Sequence, residues 1–178
     1  MTELRYATTN NFVSRDMYAG YDCAWLHRDA ADALRDAANS LHAARPDLRL
    51  LVLDALRPQR VQQLMWDSLD GTDLREYLAP PDRGSIHSFG MAVDVTLIDA
   101  EGHELEMGTP FDDLTERSHP ALEAELLRRG ELTSAQIAHR RILRDAMTAN
   151  GWQGISTEWW HFDCGDRMRV RQNYTRIL

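Results

Sequence analysis

Lysine is absent. All 20 basic residues of the 178-residue chain are arginines, and that removes whole classes of chemistry. A Walker A loop needs its Lys, a pyridoxal enzyme its Schiff-base Lys, and a Ser-x-x-Lys hydrolase its base. Cysteine is scarce as well: Cys23 and Cys164 cannot build a disulfide framework. The G-x-S-x-G, G-x-G-x-x-G, C-x-x-C and H-E-x-x-H signatures are all missing; His103-Glu104 has no second His four residues on. Basic charge is in deficit, with a formal net charge of -8. This argues against nucleic acid or an anionic membrane surface as partner. No stretch approaches ~18 consecutive apolar residues, and the first ten residues lack a basic start followed by an apolar run. The expectation is a cytoplasmic protein that neither spans nor binds a membrane.

What is present fits an ordinary globular chain, since 43% hydrophobic and 27% charged residues leave enough apolar surface for a core. The length suits a single domain, residues 1–178. Residues 1–26 carry aromatics without clean periodicity and read as an arm laid over the body. From Arg28 the spacing of Ala30, Leu34, Ala37 and Leu41 predicts a helix with Asp29 near its cap, ending before Pro46. Arg49–Leu53 reads as a buried strand. A second helix follows Pro58, with Val61, Leu64, Met65 and Leu69 as its apolar stripe. Residues 70–84 read as a loop, 90–98 as a central strand, the segment around Gly102 as the turn of a hairpin, and 108–120 as irregular. Ser134–Ala149 reads as a helix capped by Thr133 or Ser134 and burying Ala135, Ala138, Ile142, Ala146 and Ala149, with Asn150-Gly151 ending it. A last strand covers roughly 159–163. Helices and strands mix without strict alternation, so the predicted class is α+β with a largely antiparallel central sheet and flanking helices.

Among seven histidines, context singles out two. His87 stands in Ser85-Ile86-His87-Ser88-Phe89-Gly90-Met91-Ala92-Val93-Asp94. A carboxylate between Val93 and Val95 is expensive to bury unless it is paired or holds a cation. Seven apart on a straight strand, His87 and Asp94 would face opposite ways, but the Ser88–Gly90 turn can fold His87 back over the strand. The plainer alternative is an Asp capping nearby backbone with His87 exposed. In Glu158-Trp159-Trp160-His161 a carboxylate and an imidazole lie three apart among aromatics; an aromatic core strand with a hydrogen-bonded Glu is the alternative there. Zinc hydrolases need three protein ligands, an open position and a nearby carboxylate that is not a ligand. His87, Asp94 and His161 with Glu158 supply that set. Arg57, at the end of the first strand, can aim a fixed guanidinium at a developing oxyanion, or form a surface salt bridge with Asp54.

The pattern from Ser85 to Asp94, with Glu158-Trp159-Trp160-His161, resembles the D-alanyl-D-alanine dipeptidases of the VanX type, part of a zinc group that includes D,D-carboxypeptidases and the Hedgehog domain. Tyr6-Ala7-Thr8, Asn11-Phe12, Arg57-Pro58, Met107 to Asp112 and Glu116 to His119 extend the likeness to nearly the whole chain. It departs at Leu56, where the family commonly has Tyr, and at Ser14, where Gly is frequent. The resemblance implies one zinc ion per chain on His87, Asp94 and His161, with Glu158 as general base and Arg57 as stabiliser of the tetrahedral intermediate. It also implies substrate contacts from Ser85, Asp112, Tyr6 and Tyr21, with Asp112 facing the free amino group of a small dipeptide. The alternatives are a D,D-carboxypeptidase or endolysin acting on cell-wall peptides, and a zinc domain that binds a partner without catalysis.

Overall fold

The computed structural model describes residues 1–178. Four strands form one antiparallel sheet: β1 (Arg49–Asp54), β2 (Ala92–Ile98), β3 (Trp152–Gly154) and β4 (His161–Cys164), in the order β1-β2-β4-β3. Five helices flank it: α1 (Arg28–Ala44), α2 (Gln59–Ser68), α3 (Glu123–Arg128), α4 (Ser134–Thr148) and α5 (Arg167–Asn173). The class is α+β, as the mixed order of elements implies.

Alternation along the strands gives the sheet two faces of opposite character. Val93, Val95 and Leu97 of β2, Leu50 and Val52 of β1 and Phe162 of β4 join the main core, which also takes Ala37 and Leu41 from α1 and Leu143 and Met147 from α4. On the other face β2 pairs Asp94 with His161, and Ala92 with Asp163, so three ionisable side chains of adjacent strands share one side. β1 joins them through an irregularity. The register shifts between Val52 and Asp54, so that Asp54 falls opposite Asp94. Plain alternation from Val52 would have sent Asp54 into the apolar core; the extra residue returns it to the polar face.

The first 26 residues are built into the fold. Met1 and Glu3 bond to Val52, and Thr2 bridges it in parallel, which covers the free edge of β1. Tyr6, Met17, Tyr18 and Cys23 then form a second apolar cluster with Val61 and Met65 of α2. In α2, Val61, Met65 and Leu69 are buried as the stripe requires, but Leu64 is exposed. α4 differs more from expectation. Its alanine face is not the buried one: Ala135, Ala138 and Ala149 are exposed, while Arg140, Leu143 and Met147 are buried. Arg140 explains the error. Its guanidinium sits in the core because it bonds to the carbonyls of Met107 and Arg117, and such a paired charge is invisible to a count of apolar residues. Thr133 and Gln136 form a reciprocal capping box at the start of α4. β3, α3 and α5 were not foreseen; all three are short.

Candidate metal centre and active-site cleft

The turn that the spacing of His87 and Asp94 demands is present. Ile86–Phe89 forms a single 3-10 turn, and Gly90 follows at φ 64°. A Cβ at Gly90 would lie 2.9 Å from the backbone nitrogen of His27, whose N–H bonds to the Gly90 carbonyl, so both left-handed backbone and close approach call for glycine here. The turn swings His87 over β2. Its Nε2 lies 3.3 Å from Asp94 Oδ1 and 3.2 Å from His161 Nδ1, and His161 Nδ1 lies 3.0 Å from the same Asp94 oxygen. All three residues are buried.

The outer ring nitrogens decide what the inner ones can do. His87 Nδ1 donates to the Ala55 carbonyl at 2.8 Å, and His161 Nε2 donates to Asp163 Oδ1 at 2.9 Å. Neither acceptor can give a proton back, so each neutral imidazole turns a lone pair inward. Two nitrogen lone pairs and a carboxylate oxygen within van der Waals contact repel one another unless something positive lies between them. A divalent cation answers that need, and outer-sphere acceptors of this kind are what orient histidine ligands. The residues present therefore fit a metal. Burial, the largest influence on His161, disfavours its charged form, yet Asp163 and Asp94 outweigh it and push the ring up to about 10. A bound cation competes with that proton.

Asp94 and His161 of the triad line a cleft of about 230 Å³, together with Glu158, Arg57, Ser85, Tyr6 and Asp112; His87 is buried beside them. Glu158 is half-buried on its wall, and burial pushes its carboxyl up to about 7; no hydrogen bond contributes to that shift. Arg57 is buried and clamped: Nε and Nη2 donate to Asp54 Oδ2 at 3.0 and 2.7 Å, Nη1 to Gln62 Oε1 at 3.3 Å, and Nη2 reaches Asp94 Oδ2 at 3.4 Å. The Asp54 partner is thus real, but it is a buried ion pair and not a surface one. Tyr18 donates its hydroxyl to the other oxygen of Asp54, and the Arg57 guanidinium lies 4.9 Å from the centre of the Tyr6 ring.

Asp112 adopts φ 63°, a left-handed conformation uncommon outside glycine. It accepts from the Tyr6 hydroxyl at 2.9 Å. Burial first, and the nearby Asp94 charge second, hold its carboxyl well above the usual range, so a cation brought to it would be welcomed. Ser85 is buried on the cleft wall just before the His87 turn. Tyr21 is the expected substrate contact that the fold does not bring to the cleft. It is 64% exposed, its ring stacks on the Arg60 guanidinium, and it does not line the cleft; the chain from Tyr18 onward has turned outward by then. Asp54 and Asp163 are the residues that pattern reading undervalued. Asp163 stands two after His161 on one strand, so it had to share the face of His161. Asp54 depended on the β1 irregularity, which no motif signals.

Fold and site together give a buried cluster of two histidines and a carboxylate, able to hold a metal ion beside a polar cleft. A family model described as D-ala-D-ala dipeptidase (Peptidase_M15) matches residues 1–177, and the chain belongs to this family. It is similar to the D-alanyl-D-alanine dipeptidase of Escherichia coli K12, 37% identical over 162 residues, covering 90% of this chain and 77% of the relative. It is also similar to the enzymes of that name from Synechocystis (29% identical; 85% and 73% covered) and Enterococcus faecium (29%; 90% and 83%).

Proposed function

We propose that the protein is a zinc-dependent dipeptidase that hydrolyses D-Ala-D-Ala, or a closely related dipeptide, to free amino acids. The observation that carries this is the convergence of His87 Nε2, Asp94 Oδ1 and His161 Nδ1 beside a cleft that Asp94, His161 and a separate carboxylate, Glu158, line. Family membership supports the substrate. Zinc on these ligands supplies Lewis acidity and lowers the pKa of a water to about 7.

The side chains do the rest. Glu158, poised near neutrality, accepts a proton from the attacking water and returns it to the leaving amine. Arg57 is held rigid by Asp54 and Gln62, so its guanidinium needs no reorganisation to meet the oxyanion. Asp112 and Tyr6 receive the substrate ammonium. A longer peptide carries an amide there in place of the ammonium, leaving Asp112 without a counter-charge, so the same contact excludes it. Ser85, also on the cleft wall, contacts the substrate backbone. The unpaired thiols Cys23 and Cys164 suit a reducing compartment such as the cytoplasm, and free cell-wall dipeptide is the matching substrate pool.

Elemental analysis of the purified protein, joined to an assay for free D-alanine, tests the reading. About one zinc per chain and turnover of D-Ala-D-Ala well above that of its N-acylated form are expected. Preference for the acylated peptide would indicate a D,D-carboxypeptidase or endolysin, and bound metal without any turnover a non-catalytic domain; either overturns the proposal.

A further inference from the structure

The charges of the cleft follow an order. Tyr6 joins Asp112 at one end, and Arg57 lies over Tyr6. Arg57 reaches Asp94, Asp94 reaches His161, and His161 bonds to Asp163. Asp163 then holds Arg167, whose carbonyl accepts from Arg171 Nη1 at 3.4 Å. Arg171 also donates to the Gly84 carbonyl at 3.1 Å, beside Ser85. In this order of contacts Asp94 and His161 fall between an acidic end and a basic end.

The two ends are alike in lacking partners. Asp112 has a tyrosine and a backbone N–H but no cation. Arg83 and Arg171 both line the cleft. Arg171 bonds only to carbonyls, and Arg83 makes no side-chain bond at all. Asp163, the carboxylate whose charge reaches Arg171, is already shared by His161 and Arg167. Burial and the like charges of Arg83 and Arg167 lower the proton affinity of Arg171, the mark of a guanidinium without an anion.

We infer that Arg83 and Arg171 form the acceptor for the free C-terminal carboxylate of the substrate, so that the cleft recognises a zwitterion across the metal centre. Arg–carboxylate pairs are directional and strong for hydrogen bonds. With a site at each end, the carbonyl between them is carried to the His87–Asp94–His161 cluster, and a dipeptide is selected by its length as well as by its charges. The inference rests on the dipeptidase reading and adds a second charge requirement to it.

The test crosses substrate with variant. Hydrolysis of D-Ala-D-Ala and of D-Ala-D-Ala amide is measured for the wild type, Arg83→Gln, Arg171→Gln and the double variant. The wild type should favour the free acid by about 10–100-fold in kcat/KM, the worth of charge-assisted hydrogen bonds. That preference should shrink in each single variant and vanish in the double, while turnover of the amide stays level. A purely structural role for Arg171 would lower both substrates alike and leave the preference intact. Should Arg171→Gln misfold, Arg83→Gln decides alone, because the Arg83 side chain is exposed and makes no hydrogen bond or ion pair within the fold. An undiminished preference in folded variants overturns the carboxylate site. Failure of the wild type to cleave either compound overturns the dipeptidase reading instead.

Discussion

The two faces of the β2–β4 ladder share a backbone and differ in almost everything else. Toward α1 and α4 lie Val93, Val95, Leu97 and Phe162, closed by Leu143 and Met147. Toward the cleft lie Asp94, His161 and Asp163, with Asp54 brought in by the β1 irregularity. The apolar face gains free energy by excluding water and has no use for the identity of any one side chain beyond volume and shape. On the cleft face Asp54, Asp94, His161 and Asp163 are buried against one another or against Arg57 and Arg167, and the arrangement costs stability unless a cation or substrate completes it. One face holds the fold together; the other spends part of that stability on chemistry.

Substitutions should separate the two. The largest effect belongs to Glu158→Gln, which should cut kcat/KM by about 10²–10⁴-fold while zinc content, read by elemental analysis, stays at the wild-type level. On the opposite face Leu143→Ala should cost about 2–5 kcal/mol in denaturant unfolding, yet leave kcat/KM per folded molecule unchanged. An activity loss beyond the folded fraction would show that the faces are not independent. Next comes Asp163→Asn, which removes the carboxylate that orients His161; zinc affinity should fall about 10–100-fold by competition with a chelator.

The pH dependence gives a smaller signal of known sign. In chelator, the folded Glu158 carboxyl titrates at about 7, against an ordinary value of ~4.3. The folded state therefore binds more protons, and this group makes stability fall as pH rises from ~4.3 to about 7. Glu158→Gln should raise the metal-free Tm at pH 8 relative to wild type and leave it unaltered near pH 4. The smallest effect is Tyr21→Ala: with its ring outside the cleft on Arg60, kcat/KM should not change. A clear loss there would restore Tyr21 to the site.

Local pattern revealed a good part of this molecule. The hydrophobic run of 49–53, the β-branched run before Ile98, the helix cap at Thr133 or Ser134 and the helix-ending Asn150-Gly151 are near-neighbour effects, so near-neighbour reading finds them. The burial of α4 escaped it because Arg140 enters the core on bonds to Met107 and Arg117, 33 and 23 residues away. The second apolar cluster, in which the arm meets α2, escaped it for the same reason.

The site divides along that line too. A carboxylate within an apolar run, a glycine after a histidine, and an acid three before a second histidine were all written in the chain, because their meaning depends on what burial and a tight turn cost. Tertiary structure alone decided that His87 and His161, 74 residues apart, offer their lone pairs to one point. It alone set Asp54 beside Asp94 through a one-residue shift, and turned Tyr21 away. Such outcomes depend on register and on hydrogen-bond partners drawn from distant strands, and no window of sequence contains both members of the pair.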